Sequence, residues 1–139
     1  KVYGKMAGFL FGFLIMIIYD ILSGKVVVLT LITASAYGLL GLWAAVYFKN
    51  KNNNSWGYAK FAIIGTLAFD IVTGLSVGPL FFNQTFMEAL VGQIPFTFFH
   101  LLGNVSFALV LSPAIYNLVT KNKKSEYVSF INIFHPKIT

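Results

Sequence analysis

Residues 69–104 read FDIVTGLSVGPLFFNQTFMEALVGQIPFTFFHLLGN. The stretch sets Asp70, Gln84, Glu88, Gln93, His100 and Asn104 in an otherwise apolar text, and apolar runs of membrane length flank it on both sides. Polar side chains inside a bilayer are costly and are kept for a use, so a cluster of them reads as a functional site. The ligand this points to is a small molecule with several hydrogen-bond donors and acceptors.

Composition sets the class. The chain is 58% hydrophobic and 10% charged, where a soluble domain carries roughly 25% charged residues. The reading is an all-α, polytopic transmembrane helix bundle with four to five membrane helices. Residues 1–120 form the transmembrane domain and 121–139 a basic cytoplasmic tail. Cysteine is absent, which excludes a disulfide framework and thiolate metal sites. The net charge of +6 comes with ten lysines and no arginine. Those lysines sit mainly between apolar runs, as orientation in a bilayer demands. Without arginine, the preferred reader of bases and phosphates, nucleic acid is not an expected partner; the lipid bilayer is. Lys1 stands directly before the first apolar run, with no cleavable signal peptide in view, so an N-terminal truncation is the expectation.

Outward from the polar stretch, the spans are predicted at about 3–22, 26–48, 58–77 and 95–119. Each is close to the twenty apolar residues that cross a bilayer. Gly4, Gly8 and Gly12 on the first span, and Ala34, Gly38, Gly41 and Ala45 on the second, form small-residue faces that let helix backbones approach. Residues 49–60 (KNKNNNSWGYAK) form an aqueous loop. Tyr19-Asp20-Ile21-Leu22-Ser23-Gly24 is repeated in chemistry fifty residues later as Phe69-Asp70-Ile71-Val72-Thr73-Gly74. Internal repeats are frequent in transporters, with the substrate at the repeat interface. Gly78-Pro79 is expected to break the third span, leaving 79–94 as a short re-entrant or interfacial segment. Pro95 suits a first helical turn, and Pro113 is expected to kink the last span.

With 79–94 re-entrant, Lys1, Lys5, Lys49, Lys51, Lys60, Lys121, Lys123, Lys124 and Lys137 face one side and Lys25 the other. The positive-inside bias makes the rich side cytoplasmic, which makes this a cell-membrane, multi-pass protein with a cytoplasmic C-terminus. Asp20, Asp70, Glu88, Gln93, His100 and Asn104 then all fall toward the outer leaflet. Asp70, Gln93, His100 and Asn104 are expected around one outward-facing pocket, with Asp20 and Glu88 beside it. Phe81, Phe82, Phe86, Phe96 and Phe99 would supply aromatic walls. His135 reads as a solvated tail residue.

No glycine-rich loop ending in Lys-Ser or Lys-Thr is present, so ATP hydrolysis by this chain is not expected. There is no His-Glu-x-x-His pair, and one histidine is thin for a metal site. No nucleophile has a base beside it. The chain does not read as an enzyme, and no cofactor is expected.

Paired Gly-rich helices ending in Asp, a Gly-Pro loop, then Gln93-Ile94-Pro95-Phe96-Thr97 and His100-Leu101-Leu102-Gly103-Asn104 together resemble the substrate-binding S components of energy-coupling factor (ECF) transporters. The likeness covers most of residues 4–119. It implies a subunit that binds a vitamin or similar micronutrient from outside and works with a membrane T component and two ATPases. It also implies that the four spans match the last four of six helices, that the first two are missing, and that 75–94 covers the pocket. Two alternatives stand beside it. A structural scaffold of the bacterial cell-shape machinery shares the Gly-x-x-x-Gly pattern of the first span, and a channel or ion-coupled carrier would explain the acids.

Overall fold

The computed structural model describes residues 2–24 and 28–134, with side chains through Asn122. Four helices follow one another: α1 (Lys5–Leu22), α2 (Val28–Tyr47), α3 (Ser55–Phe81) and α4 (Phe86–Phe134). No strand occurs among the described residues. All four helices are long and apolar enough to cross a membrane, the architecture of a multi-pass membrane protein. The expected all-α bundle is what the chain forms.

Local chemistry sets the helix ends. α1 stops at Ser23, where Gly24 turns the chain with a φ of 65°, a left-handed conformation that glycine adopts without steric cost. α3 begins at Asn54, whose side chain accepts a hydrogen bond from the Trp56 N–H at 3.0 Å, filling one of the vacant donors of a first turn. α4 begins at a capping box. Thr85 and Glu88 exchange hydrogen bonds: Thr85 N–H donates to Glu88 Oε2 at 2.7 Å, and Glu88 N–H to Thr85 Oγ1 at 3.3 Å.

The helices pair into two antiparallel hairpins, α1–α2 and α3–α4, which meet through α2 and α3. Among the described residues α1 and α4 do not pack together. The first hairpin is closed by glycine. A Cβ on Gly8 would lie 2.6 Å from the Gly41 carbonyl oxygen, and one on Gly38 would enter the Phe9 ring. The backbones therefore touch only because side chains are missing, as the small-residue faces predicted. Aromatic rings fill the α2–α3 junction: Tyr37 against Phe69 at 4.6 Å, Trp43 against Phe61 at 5.3 Å and Phe48 against Phe61 at 5.3 Å.

Two expectations are corrected here. Gly78-Pro79 does not break the third span, and 79–94 is not a separate re-entrant segment. Pro79 lies inside α3, which runs on to Phe81; residues 82–85 make the turn; and residues from Phe86 onward are already α4, which passes through Pro95 and Pro113. Membrane helices tolerate proline when neighbouring groups re-satisfy the freed backbone. The 27 residues of α3 reach about 40 Å, beyond the ~30 Å hydrocarbon core. The tip of the second hairpin, residues 79–88, therefore extends the bundle past its first hairpin. No helix end marks the boundary expected at 120–121, because α4 continues through the lysines to Phe134.

The two ends of the bundle differ in charge. Asn53 Nδ2 donates to Asn117 Oδ1 at 2.7 Å, fixing the 48–54 loop beside the second half of α4. Lys5, Lys49, Lys51, Lys60 and Lys121 share that end, and helix α4 carries Lys123 and Lys124 further out from it. Lys1, Lys25, His135 and Lys137 lie outside the described residues.

Candidate functional site

Thr66, Asp70, Gly74 and Gly78 recur every fourth residue and so share one face of α3. α4 runs antiparallel against that face and meets it rung by rung. Asn104 Nδ2 donates to Thr66 Oγ1 at 2.8 Å. His100 Nδ1 lies 2.8 Å from Asp70 Oδ1. The Gln93 amide rests over Gly74, where any Cβ would overlap it, and its Nε2 donates to Thr97 Oγ1 at 3.2 Å. Where glycine closes the first hairpin, polar side chains stitch the second.

Asp70 is the most deeply placed of these groups, at 1% exposed. Its Oδ1 faces His100, while its Oδ2 is buried with no hydrogen-bond partner among the described residues. The rings of Phe69 and Phe96 flank His100, with centroids at 6.0 and 5.4 Å. A buried carboxylate with half its acceptor capacity unused is costly to keep.

Two spaces adjoin the seam. A cavity of about 770 Å³ lies between the two hairpins and draws its wall from all four helices. Tyr37, Gly65, Asn104 and Ser112 line it, with Phe11 and Phe107 among its aromatic groups. It spans the half of the bundle that bears the lysines. A groove of about 380 Å³ lies along the opposite half of the seam, floored by Asp70, Gln93 and Thr97 and walled by Leu67, Ile71 and Phe98. Asp70 lies along the groove, and Asn104, the next rung of the seam, lies on the cavity wall.

No protein family, curated protein or solved structure matches this chain.

The six candidate residues therefore part company. Asp70, Gln93, His100 and Asn104 are brought together, as a line along the α3–α4 seam and not as a ring about one pocket. Asn104 lines the cavity, Asp70 and Gln93 line the groove, and His100 lines neither. Asp20 belongs to the first hairpin, where it is buried and accepts from Thr30 Oγ1 at 2.5 Å. Glu88 is exposed and caps α4, away from the Asp70–Asn104 line. The aromatic walls are also reassigned: Phe81, Phe82, Phe86, Phe96 and Phe99 are all exposed, because their phase on the helices turns them away from the bundle.

Thr66 was missed by reading the sequence. Its signal is the four-residue spacing to Asp70, which places a second polar group on the same helix face. Tyr37 of α2 lies between Phe69 and the cavity.

Proposed function

We propose that this chain is a membrane-embedded substrate-binding subunit for uptake of a vitamin or similar micronutrient, working with a separate T component and ATPases. One observation carries the reading: the cavity of about 770 Å³ bounded by all four helices. Ligand sites run from roughly 300 to 1,000 Å³ and combine apolar walls with a few placed polar groups. Here the polar residues on the wall are Asn104, Ser112 and the tyrosines Tyr3, Tyr37, Tyr58 and Tyr116. Among the described residues no charged side chain lines the space, so the solute is one with an apolar or aromatic body and a few neutral polar groups. The partners come from the likeness to ECF S components, in a chain with no nucleotide-binding motif of its own.

The cavity lies in the lysine-rich half, whereas loading was expected from the other side. The reading assigns this conformer to the releasing side and requires the solute to pass the level of Asp70 and His100.

Native mass spectrometry of the purified chain, alone and with co-expressed T component, tests this. A bound small molecule is expected, and Ala62→Phe, which fills the cavity from α3, should abolish it. A chain that carries nothing and binds nothing from a vitamin panel would sink the proposal, as would full retention of the ligand by Ala62→Phe.

A further inference from the structure

We infer that Asp70 and His100 together form a proton-binding site in the interior of the bundle, independent of which solute the cavity takes. The argument begins with access. Asp70 Oδ2 is buried and has no hydrogen-bond donor among the described residues. No solute reaches a sealed oxygen unless the helices part, whereas a proton needs no more room than a hydrogen bond supplies.

Charge gives the second step. With one proton shared between the carboxyl and imidazole groups, the pair sums to zero, whether written as aspartate with imidazolium or as carboxylic acid with imidazole. With that proton gone, it carries one negative charge in the membrane interior. Nothing nearby offsets that charge. On the seam itself the neighbours are Thr66, Gln93, Thr97 and Asn104, all neutral. Among the described residues, the ionisable group of α2 that interacts with Asp70 is Tyr37, and Tyr19 of α1 interacts with Tyr37 in turn; neither is a cation. The described lysine side chains belong to the far end of the bundle. Isolated charge at such a depth is penalised, and chains of acid and histidine inside membrane helices are the usual vehicles of bound protons.

The step is simple to balance. A proton passes from water to the pair, the net charge goes from −1 to 0, and no other bond forms or breaks. Histidine is suited to it, being the side chain that ordinarily changes charge in the physiological range. The pair stands beside the groove, which Asp70 lines, and one rung along the seam from Asn104, which lines the cavity.

The test uses the full chain in lipid nanodiscs, labelled with ¹⁵N-histidine and ¹³C-aspartate, with His135→Gln leaving His100 as the only histidine. NMR spectra are followed from about pH 4 to about pH 9. The expected result is one step in which the His100 ring and the Asp70 carboxyl move together. Asp70→Asn should displace the His100 step by about tenfold or more in proton concentration, as coupled sites require. Thr66→Val, which breaks the neighbouring rung without touching the pair, should leave it within about threefold. Separate steps for the two groups, no step in the range, or an identical His100 step in Asp70→Asn would each overturn the inference. If Asp70→Asn does not fold, the joint movement in the unmutated pair decides the matter alone.

Discussion

Asp20 and Asp70 stand at the same step of two successive hairpins. Each is the sixteenth residue of its helix, and each is met by a side chain from the helix that follows: Thr30 at 2.5 Å and His100 at 2.8 Å. This is where the sequence repeat of 19–24 and 69–74 falls. The hairpins then diverge. α1 ends two residues after its acid, whereas α3 runs on to Phe81. The extra turns bury Asp70 in mid-helix and leave Asp20 beside a turn.

That difference predicts unequal costs. Asp70→Ala strips His100 of its partner in the seam, and breaking a buried pair by removing one member costs about 3 kcal/mol or more. Asp20→Asn keeps an acceptor for Thr30 and should cost about 1 kcal/mol or less. Thermal unfolding of both variants in mild detergent measures this. Equal losses would contradict the assignment of Asp70 as the deeper, more dependent acid.

The helices were legible because apolar runs of membrane length leave few alternatives. Predicted spans at 3–22 and 26–48 became Lys5–Leu22 and Val28–Tyr47. Pro79 and Pro95 misled, since local sequence shows the lost N–H and not the packed neighbour that makes its loss tolerable. The capping box was written in the sequence as Thr85-Phe86-Met87-Glu88 and was legible in principle; Glu88 among hydrophobic residues drew attention as a site instead. The polar seam was half legible. The cost of burying Asp70, Gln93, His100 and Asn104 can be read from the sequence, but whether they face each other or a ligand depends on helix phase and on Thr66.

The glycine contact between α1 and α2 makes a paired prediction. Gly41→Ala would drive a methyl into the Gly8 backbone, and overpacking of this kind costs about 1–3 kcal/mol. Gly103→Ala on α4 meets nothing within 4 Å and should gain up to about 1 kcal/mol from helix propensity. Chemical unfolding of both proteins is the check; destabilisation by Gly103→Ala would show a neighbour on that face.

The cap of α4 should act locally. Thr85→Ala removes the hydroxyl that Glu88 N–H uses, so amide exchange at residues 86–90 should quicken several-fold while exchange across 97–104 stays unchanged. Faster exchange throughout the seam would mean that the hairpin tip supports the site and is not merely its end.

Topology is open to direct labelling. The chain lacks cysteine, so single cysteines at Asn53 and Asn83 report cleanly. Asn53 sits at the lysine-bearing end and Asn83 in the opposite turn. With the lysine-rich end cytoplasmic, an impermeant reagent added to intact cells should label the cysteine at 83 and spare the one at 53. The reverse pattern would invert the bundle, and equal labelling would break the two-hairpin arrangement.

Asn104 separates a structural role from a binding role, because it both bonds Thr66 and lines the cavity. Its Nδ2 is spent on Thr66, while the residue lines the cavity. Asn104→Ala removes both roles; Thr66→Val removes only the rung. Interhelical hydrogen bonds in membranes average about 0.6 kcal/mol, so the two variants should lose similar, small amounts of stability without ligand. Affinity should split them. A ligand donor left unpaired on binding costs about 1–3 kcal/mol, so Asn104→Ala should bind the co-purified solute about tenfold more weakly or worse, with Thr66→Val near the parent. Measuring affinity beside the ligand-free melting temperature for each variant gives the answer. Equal affinity losses would mean that Asn104 acts only by holding the seam, which leaves Ser112 and Tyr116 as the polar side chains that α4 offers the cavity.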